Sequence, residues 1–170
     1  MRLRISGSVP LGAVVERASA LVFAGVRNGP RVNAEPSLDG VRVRCDQDRL
    51  VQVLVNLLQN AHDALRGTIG GSIRISAELE ADAVCIAVDD DGPGVDPRVS
   101  GRLFEPFTTT KPPGEGTGLG LYTSYMLVRA MQGTLQLEPR PARGTRALLR
   151  LPLESAAESA RAAAAQGSMG

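Results

Sequence analysis

Aromatic residues make up 3% of this 170-residue chain, and tryptophan is absent. That scarcity removes the stacking platforms on which single-stranded nucleic acid is read. A formal net charge of +1 removes the broad basic field that binding to a phosphate backbone needs. The one histidine, His62, and two cysteines without CxxC spacing, Cys45 and Cys85, leave almost no material for a zinc site. Both cysteines stand in apparent strands, which predicts small core filler rather than a disulfide, and a reducing compartment fits. No apolar run approaches the roughly 18 residues of a membrane span, and the first residues form no apolar signal segment. The chain is expected to be soluble and cytoplasmic, with no direct contact to membrane or nucleic acid. Lysine is scarcest of all: of 19 basic residues, Lys111 is the only lysine.

What is present is a core and a glycine-rich loop. Hydrophobic residues at 43% and charged residues at 22% are ordinary for one globular domain of this length. The stretch FTTTKPPGEGTGLGL (107–121) places Gly114, Gly116, Gly118 and Gly120 at every second position. A helix is expected to follow, from Leu119 through Met131, with Leu121, Tyr125, Leu127 and Val128 apolar. The stretch reads either as a flexible surface loop or as a phosphate site, since glycines feeding a helix N-terminus offer free backbone N–H groups and a positive dipole end. Lys111 stands just before them, where a cation reaches a phosphate. Residues 112 to 118, rich in proline and glycine, suit a lid, with Leu103, Phe104 and Phe107 at its base.

The rest of the chain alternates helix and strand signals. Leu11 to Val26 repeats apolar residues at three and four, an amphipathic helix stopped by Asn28, Gly29 and Pro30. A short strand through Val41, Val43 and Cys45 follows. Asp46 then caps a helix running to about Arg66 and closed by Gly67, with a stripe of Leu50, Val53, Leu54, Leu57, Leu58, Ala61 and Leu65. Asn56, Asn60 and Asp63 lie along one edge of that stripe, as either satisfied boundary residues or a pocket wall. An amide oxygen is a hard ligand that suits magnesium. His62 falls away from the two asparagines and is expected to pack or to face solvent. Alternation over 72–79 and 83–88 predicts a hairpin. It runs into Asp89-Asp90-Asp91-Gly92-Pro93-Gly94, which reads either as a solvated acidic turn or as a carboxylate beside bare backbone that can accept a hydrogen bond from an exocyclic amine such as adenine's. A second hairpin is expected over 134–138 and 145–151, and residues 155–170 read as a frayed or disordered tail.

In order and spacing these stretches resemble the ATP-binding catalytic domain of two-component sensor histidine kinases, within the GHKL ATPases, over roughly residues 11 to 153. DRLVQVLVNLLQNAHDAL looks like the N box, DDDGPGV the G1 box, LFEPFTTTK the F box and GEGTGLGL the G2 box. RGTRALLRLPL is similar to the last glycine-threonine hairpin. The version of the lid is closest to nitrogen-regulator and dicarboxylate-sensor kinases. The resemblance implies an α/β two-layer sandwich of the Bergerat type, with a mixed, mostly antiparallel sheet and about three helices, forming one ATP-binding domain over 1–154. It implies ATP and Mg2+ as cofactors. Asn60 would hold magnesium and phosphates, with Asn56 helping. Asp90 would take the adenine amine with Thr145 near it, and Gly92 and Gly94 would flank the base. Gly116, Gly118 and Gly120 would receive phosphate oxygens beside Lys111. Asp63, Phe107, Thr110, Thr117 and Leu119, in the same boxes, would border the nucleotide.

Two departures from the family pattern stand out. Many family kinases carry a basic residue three after the metal asparagine, where this chain has Asp63; the charge must then come from Lys111, Arg49 or Arg66. Relatives that hydrolyse ATP carry a glutamate four before that asparagine, where this chain has Asn56, and an amide is no general base. The resemblance thus implies a histidine kinase domain that donates the γ-phosphoryl of Mg-ATP to a histidine on a separate dimerisation domain, with a response regulator downstream. No histidine precedes residue 48, so the chain reads as a catalytic fragment or a stand-alone domain, monomeric, whether or not a parent protein is anchored in a membrane. The alternatives are a nucleotide-binding regulatory or adaptor module that transfers nothing, a GHKL ATPase, and a serine-directed kinase of the anti-sigma type.

Overall fold

A computed structural model describes residues 7–153. The expectations for the first residues and for a tail over 155–170 lie outside the described residues. Five strands form one sheet in the order β2 (Arg31–Ala34), β4 (Ser72–Leu79), β5 (Ala83–Asp90), β7 (Thr145–Pro152) and β6 (Thr134–Pro139). β2 runs parallel to β4, and the remaining pairs are antiparallel. The helices are α1 (Leu11–Phe23), α2 (Gln47–Ala64) and α3 (Gly120–Ala130). A ribbon of β1 (Ser8–Pro10) and β3 (Arg42–Arg44) completes the fold, joined to the end of the last strand by a bridge between Val43 and Leu153. The expected two-layer α/β sandwich with a mixed, mostly antiparallel sheet is therefore what forms.

The period of two along β5 divides its residues between two environments. Val84, Ile86 and Val88 join Ile73, Ile75, Leu149 and Leu151 and the α2 stripe in one buried core. Asp90 is next on that same face, so the strand ends by pushing a carboxylate to the edge of an apolar layer. Asp89 takes the opposite face, directly across from Arg74 and Arg146. Helix α2 starts as expected: Asp46 Oδ1 accepts the Arg49 N–H at 3.1 Å, and Asp48 complements the dipole in the first turn. Gly67, at φ 77°, turns the chain after it.

Some local expectations differ. α1 stops at Phe23, short of Val26, because Gly25 takes φ 76° and leaves the helix. β2 has no counterpart in the sequence reading; it is an edge strand whose residues are mostly exposed, so no alternation marks it. Cys45 is core filler as expected, and burial pushes its thiol up to about 12. Cys85 is not. It is half-buried on the open face of the sheet, because it alternates with Val84 and Ile86. His62 packs its ring edge-on against Phe23, with centroids 5.7 Å apart.

Asp89 is 1% exposed and carries two guanidinium partners, Arg146 at 2.7 and 2.8 Å and Arg74 at 2.9 Å. Burial alone would raise its carboxyl, but the hydrogen bonds from Arg146 and Arg74 outweigh this and hold it below the ordinary range. A lowered native pKa stabilises the fold above the unfolded pKa, and that contribution is lost as pH falls through the native one. Asp89→Asn is expected to lower unfolding free energy at pH 7 by about 2 kcal/mol, discounted because both arginines are partly exposed. In denaturant melts, the gap to wild type is expected to close under acid, where wild type loses the same charge.

Candidate functional site

The C-terminal half of α2, the end of β5, the start of β7 and the loop before α3 enclose a cavity of about 840 Å³. Its volume is in the range of small-molecule sites. Four surfaces define it.

The floor is the end of β5. Asp90 is 6% exposed, and its Oδ1 accepts the N–H of Gly92 at 2.7 Å and of Thr145 at 3.4 Å. Those bonds use one oxygen and leave the other for a ligand. Burial pushes the Asp90 carboxyl up, and the two backbone N–H groups offset this only in part. The acidic run thus divides three ways. Asp89 serves the outer face, and Asp90 serves the cavity. Asp91 is held low by the Ser72 hydroxyl and by Arg140, whose Nη1 lies 2.8 Å from it. Arg140 also donates to the Asp90 carbonyl at 2.9 Å, and Arg143 to the Gly92 carbonyl at 3.2 Å. These two arginines of the 139–144 turn clamp the floor. The sequence reading missed them, since a turn arginine carries no periodic signal.

The wall is α2. Asn56 Nδ2 donates to the Gly120 carbonyl at 3.3 Å and to Ser124 Oγ at 3.1 Å. Both bonds use the amide nitrogen, so the oxygen is the atom left for the cavity. Ser124 is fully buried and was also missed. Its signal was present: with Leu121, Tyr125 and Val128 it keeps the helical period, one polar residue inside the apolar stripe of α3. Asn60 lines the cavity without a side-chain hydrogen bond among the described residues. Asp63, one turn further on, is 12% exposed and bonds Gln59 Nε2 at 3.1 Å and Lys111 Nζ. Burial would raise its carboxyl, but Lys111 and Gln59 hold it below the usual range.

The roof is the 107–119 loop. A Cβ on Gly118, at φ 66°, would sit 2.5 Å from the Phe107 carbonyl carbon, so only glycine lets the two arms of the loop nest. The fourth surface is the closing hairpin, where Thr145 lies above Asp90.

Of the expected site residues, Asn56, Asn60, Asp63, Asp90, Gly94, Thr110, Lys111, Gly116, Thr117, Gly118, Gly120 and Thr145 come together around this one cavity. Gly92 and Leu119 do not line it; Gly92 acts through its N–H on Asp90, and the Leu119 N–H bonds Thr117 Oγ1 at 3.3 Å. Phe107 departs most. It is 75% exposed at φ 64°, turned outward where Gly118 presses on its backbone, and it lines no part of the cavity. Of the two phenylalanines expected at the loop base, Phe104 is the one packed there, stacked on Tyr125 at 5.2 Å. Arg49 is spent on Asp46 at 3.4 Å outside the cavity, whereas Arg66 lines it.

Residues 45–155 match the model of the histidine kinase-, DNA gyrase B- and HSP90-like ATPases. The chain belongs to that family. It is 40% identical over 86% of its length to the two-component sensor PprA of Pseudomonas aeruginosa, and 43% identical over 75% to the sensor protein kinase FleS of the same organism. It is 37% identical over 80% to the C4-dicarboxylate transport sensor protein DctB of Rhizobium meliloti. The chain spans only 16%, 33% and 22% of those three proteins, in that order. Among solved structures, the mycobacterial sensor histidine kinase MprB superposes with a TM-score of 0.72 at 25% identity, over 86% of this chain and 96% of that one. The catalytic domain of histidine kinase ThkA gives 0.71 at 27%, over 86% and 96%. The fold is that of a histidine kinase catalytic domain, an ATP-binding module of two-component signal transduction. The donor set fits a magnesium nucleotide: amide oxygens for a hard cation, a carboxylate oxygen at the floor and bare backbone in the roof. Among the described residues no three His, Cys, Asp or Glu side chains cluster as a metal site, and no helix is long and apolar enough to cross a membrane.

Proposed function

We propose that this domain binds Mg-ATP in the cavity and presents the γ-phosphoryl to a histidine on a dimerisation domain, with a response regulator as the later acceptor. The observation that supports it most is the division of labour around the cavity. One buried carboxylate oxygen is open at the floor, two amides line the wall, and the glycine-rich roof leads into α3. The free oxygen of Asp90 would accept the adenine amine, and Gly94 and Thr145 would border the base. Asn60 and Asn56 would hold magnesium, with Ser124 fixing which atom Asn56 presents. Magnesium, when bound, neutralises phosphate charge. Gly116, Gly118 and Gly120 leave backbone room for phosphate oxygens, and Lys111 adds a cation. Chemistry of this kind is mainly positioning and charge neutralisation.

Asn56 supports transfer over hydrolysis, since its nitrogen is committed to Gly120 and Ser124 and no carboxylate stands there to activate water. A module that holds nucleotide without transferring it is the second reading, favoured by the commitment of Lys111 to Asp63. Incubation with γ-labelled ATP and a histidine-bearing dimerisation domain from a related sensor kinase separates them. Label on the histidine is expected, reduced at least tenfold by Asn60→Ala, the scale of a lost charge-stabilising contact. Tight ATP binding without label on any supplied domain contradicts transfer and leaves the binding module.

A further inference from the structure

Asp63 closes the α2 side of the cavity wall, and what surrounds it gives it a task. Its carboxylate is nearly buried, and a buried charge needs a partner. The partner is Lys111, the only lysine of the chain, reaching from the roof. A second pair crosses beside the first: Arg66 touches Glu115 of the loop at 3.4 Å and Asp63 at 3.2 Å. Two acids and two bases therefore close between α2 and the loop with no net charge. Glycine makes the reach possible, because a Cβ on Gly116 would lie 2.8 Å from Lys111 Cδ and block the stem. Gln59 orients the same carboxylate from one turn back, at 3.1 Å.

We propose that Asp63 is a positioning residue: through Lys111 it docks the 107–119 loop on α2 before nucleotide arrives, and it fixes where the lysine ammonium stands. That the ammonium then serves phosphate rests on the nucleotide site proposed above; the docking does not. Roof closure and placement of the cation thereby become one event.

The test is a charge swap read by amide hydrogen exchange in nucleotide-free protein, with ATP and adenosine titrations alongside. Asp63→Asn and Lys111→Gln are each expected to speed exchange of the 108–118 amides about tenfold, the scale of a partly buried ion pair. The amides of β5 serve as the folding control and are expected to stay unchanged. Asp63→Lys with Lys111→Asp together is expected to restore the loop to within about threefold of wild type, a rescue that simple loss of packing cannot give. Asp63→Asn is expected to weaken ATP and leave adenosine unaffected. Loop exchange indifferent to either single change, or a swap that fails to restore it while β5 stays protected, overturns the docking. If no protein binds ATP but exchange follows the swap, the docking stands and the nucleotide site falls. If ATP binds and exchange ignores the swap, the reverse holds.

Discussion

Asp90→Asn is expected to weaken ATP binding about 100-fold while leaving the protein no less stable, the scale of a hydrogen bond to a charged group turned into a clash. The geometry dictates both effects. Oδ1 of Asp90 is taken by the N–H groups of Gly92 and Thr145, so an amide must keep its oxygen there. Its NH2 group then occupies the other position and faces the adenine amine, donor against donor. The stability effect follows from the upward push on the Asp90 carboxyl, whose leading cause is burial. A carboxyl whose native pKa lies above its unfolded value binds protons more readily when folded. Stability then falls as pH rises through the native pKa, and at pH 7 the charge is a cost. Thermal melts of nucleotide-free wild type and variant are expected to place the variant's Tm level with or above wild type at pH 7. A large drop in Tm would show that Asp90 holds the fold rather than a ligand.

Gly144→Ala is expected to lower the unfolding free energy by more than about 3 kcal/mol, one of the larger single-residue effects. Gly144 sits at φ 98°, and a Cβ there would lie 1.8 Å from the Asp90 carbonyl oxygen and 3.1 Å from Asp91 Cα. Neither neighbour is a side-chain tip that can swing away. The Asp90 carbonyl is held by Arg140, and the Gly144 carbonyl accepts the Arg140 N–H at 3.0 Å. Gly40→Ala separates clash from conformation: Gly40 has φ 73° but nothing within 4 Å of its added Cβ. It is expected to cost only about 1 kcal/mol, the penalty of left-handed backbone alone. Denaturant midpoints for the two variants are compared directly; equal losses would mean that contact between the turn and the β5 end contributes nothing.

The period of the side chains made most of the architecture legible. The α2 stripe, the β4–β5 hairpin and the β6–β7 hairpin each show one face to the core, and that alternation is in the sequence. β2 was illegible because an exposed edge strand has no buried face to mark it. The cavity lining was legible where the pattern holds an unusual residue: amides beside an apolar stripe, a carboxylate before bare glycines, a lysine among arginines. It was illegible where a residue acts through distant partners. Ser124 fixes the Asn56 amide from 68 positions away, and Arg140 holds the carbonyl of Asp90 from 50. Phe107 differs for a related reason. Its position in the loop suggests the cavity, but the φ of 64° that lets Gly118 nest turns the ring outward.

The most direct measurement is a calorimetric titration of the chain with ATP, in magnesium and again in chelator, with Asn60→Ala run beside wild type. Saturable one-to-one binding that magnesium tightens in wild type, and no longer tightens in Asn60→Ala, is the predicted result. No saturable binding by wild type in either condition would contradict the assignment of this cavity to a magnesium nucleotide.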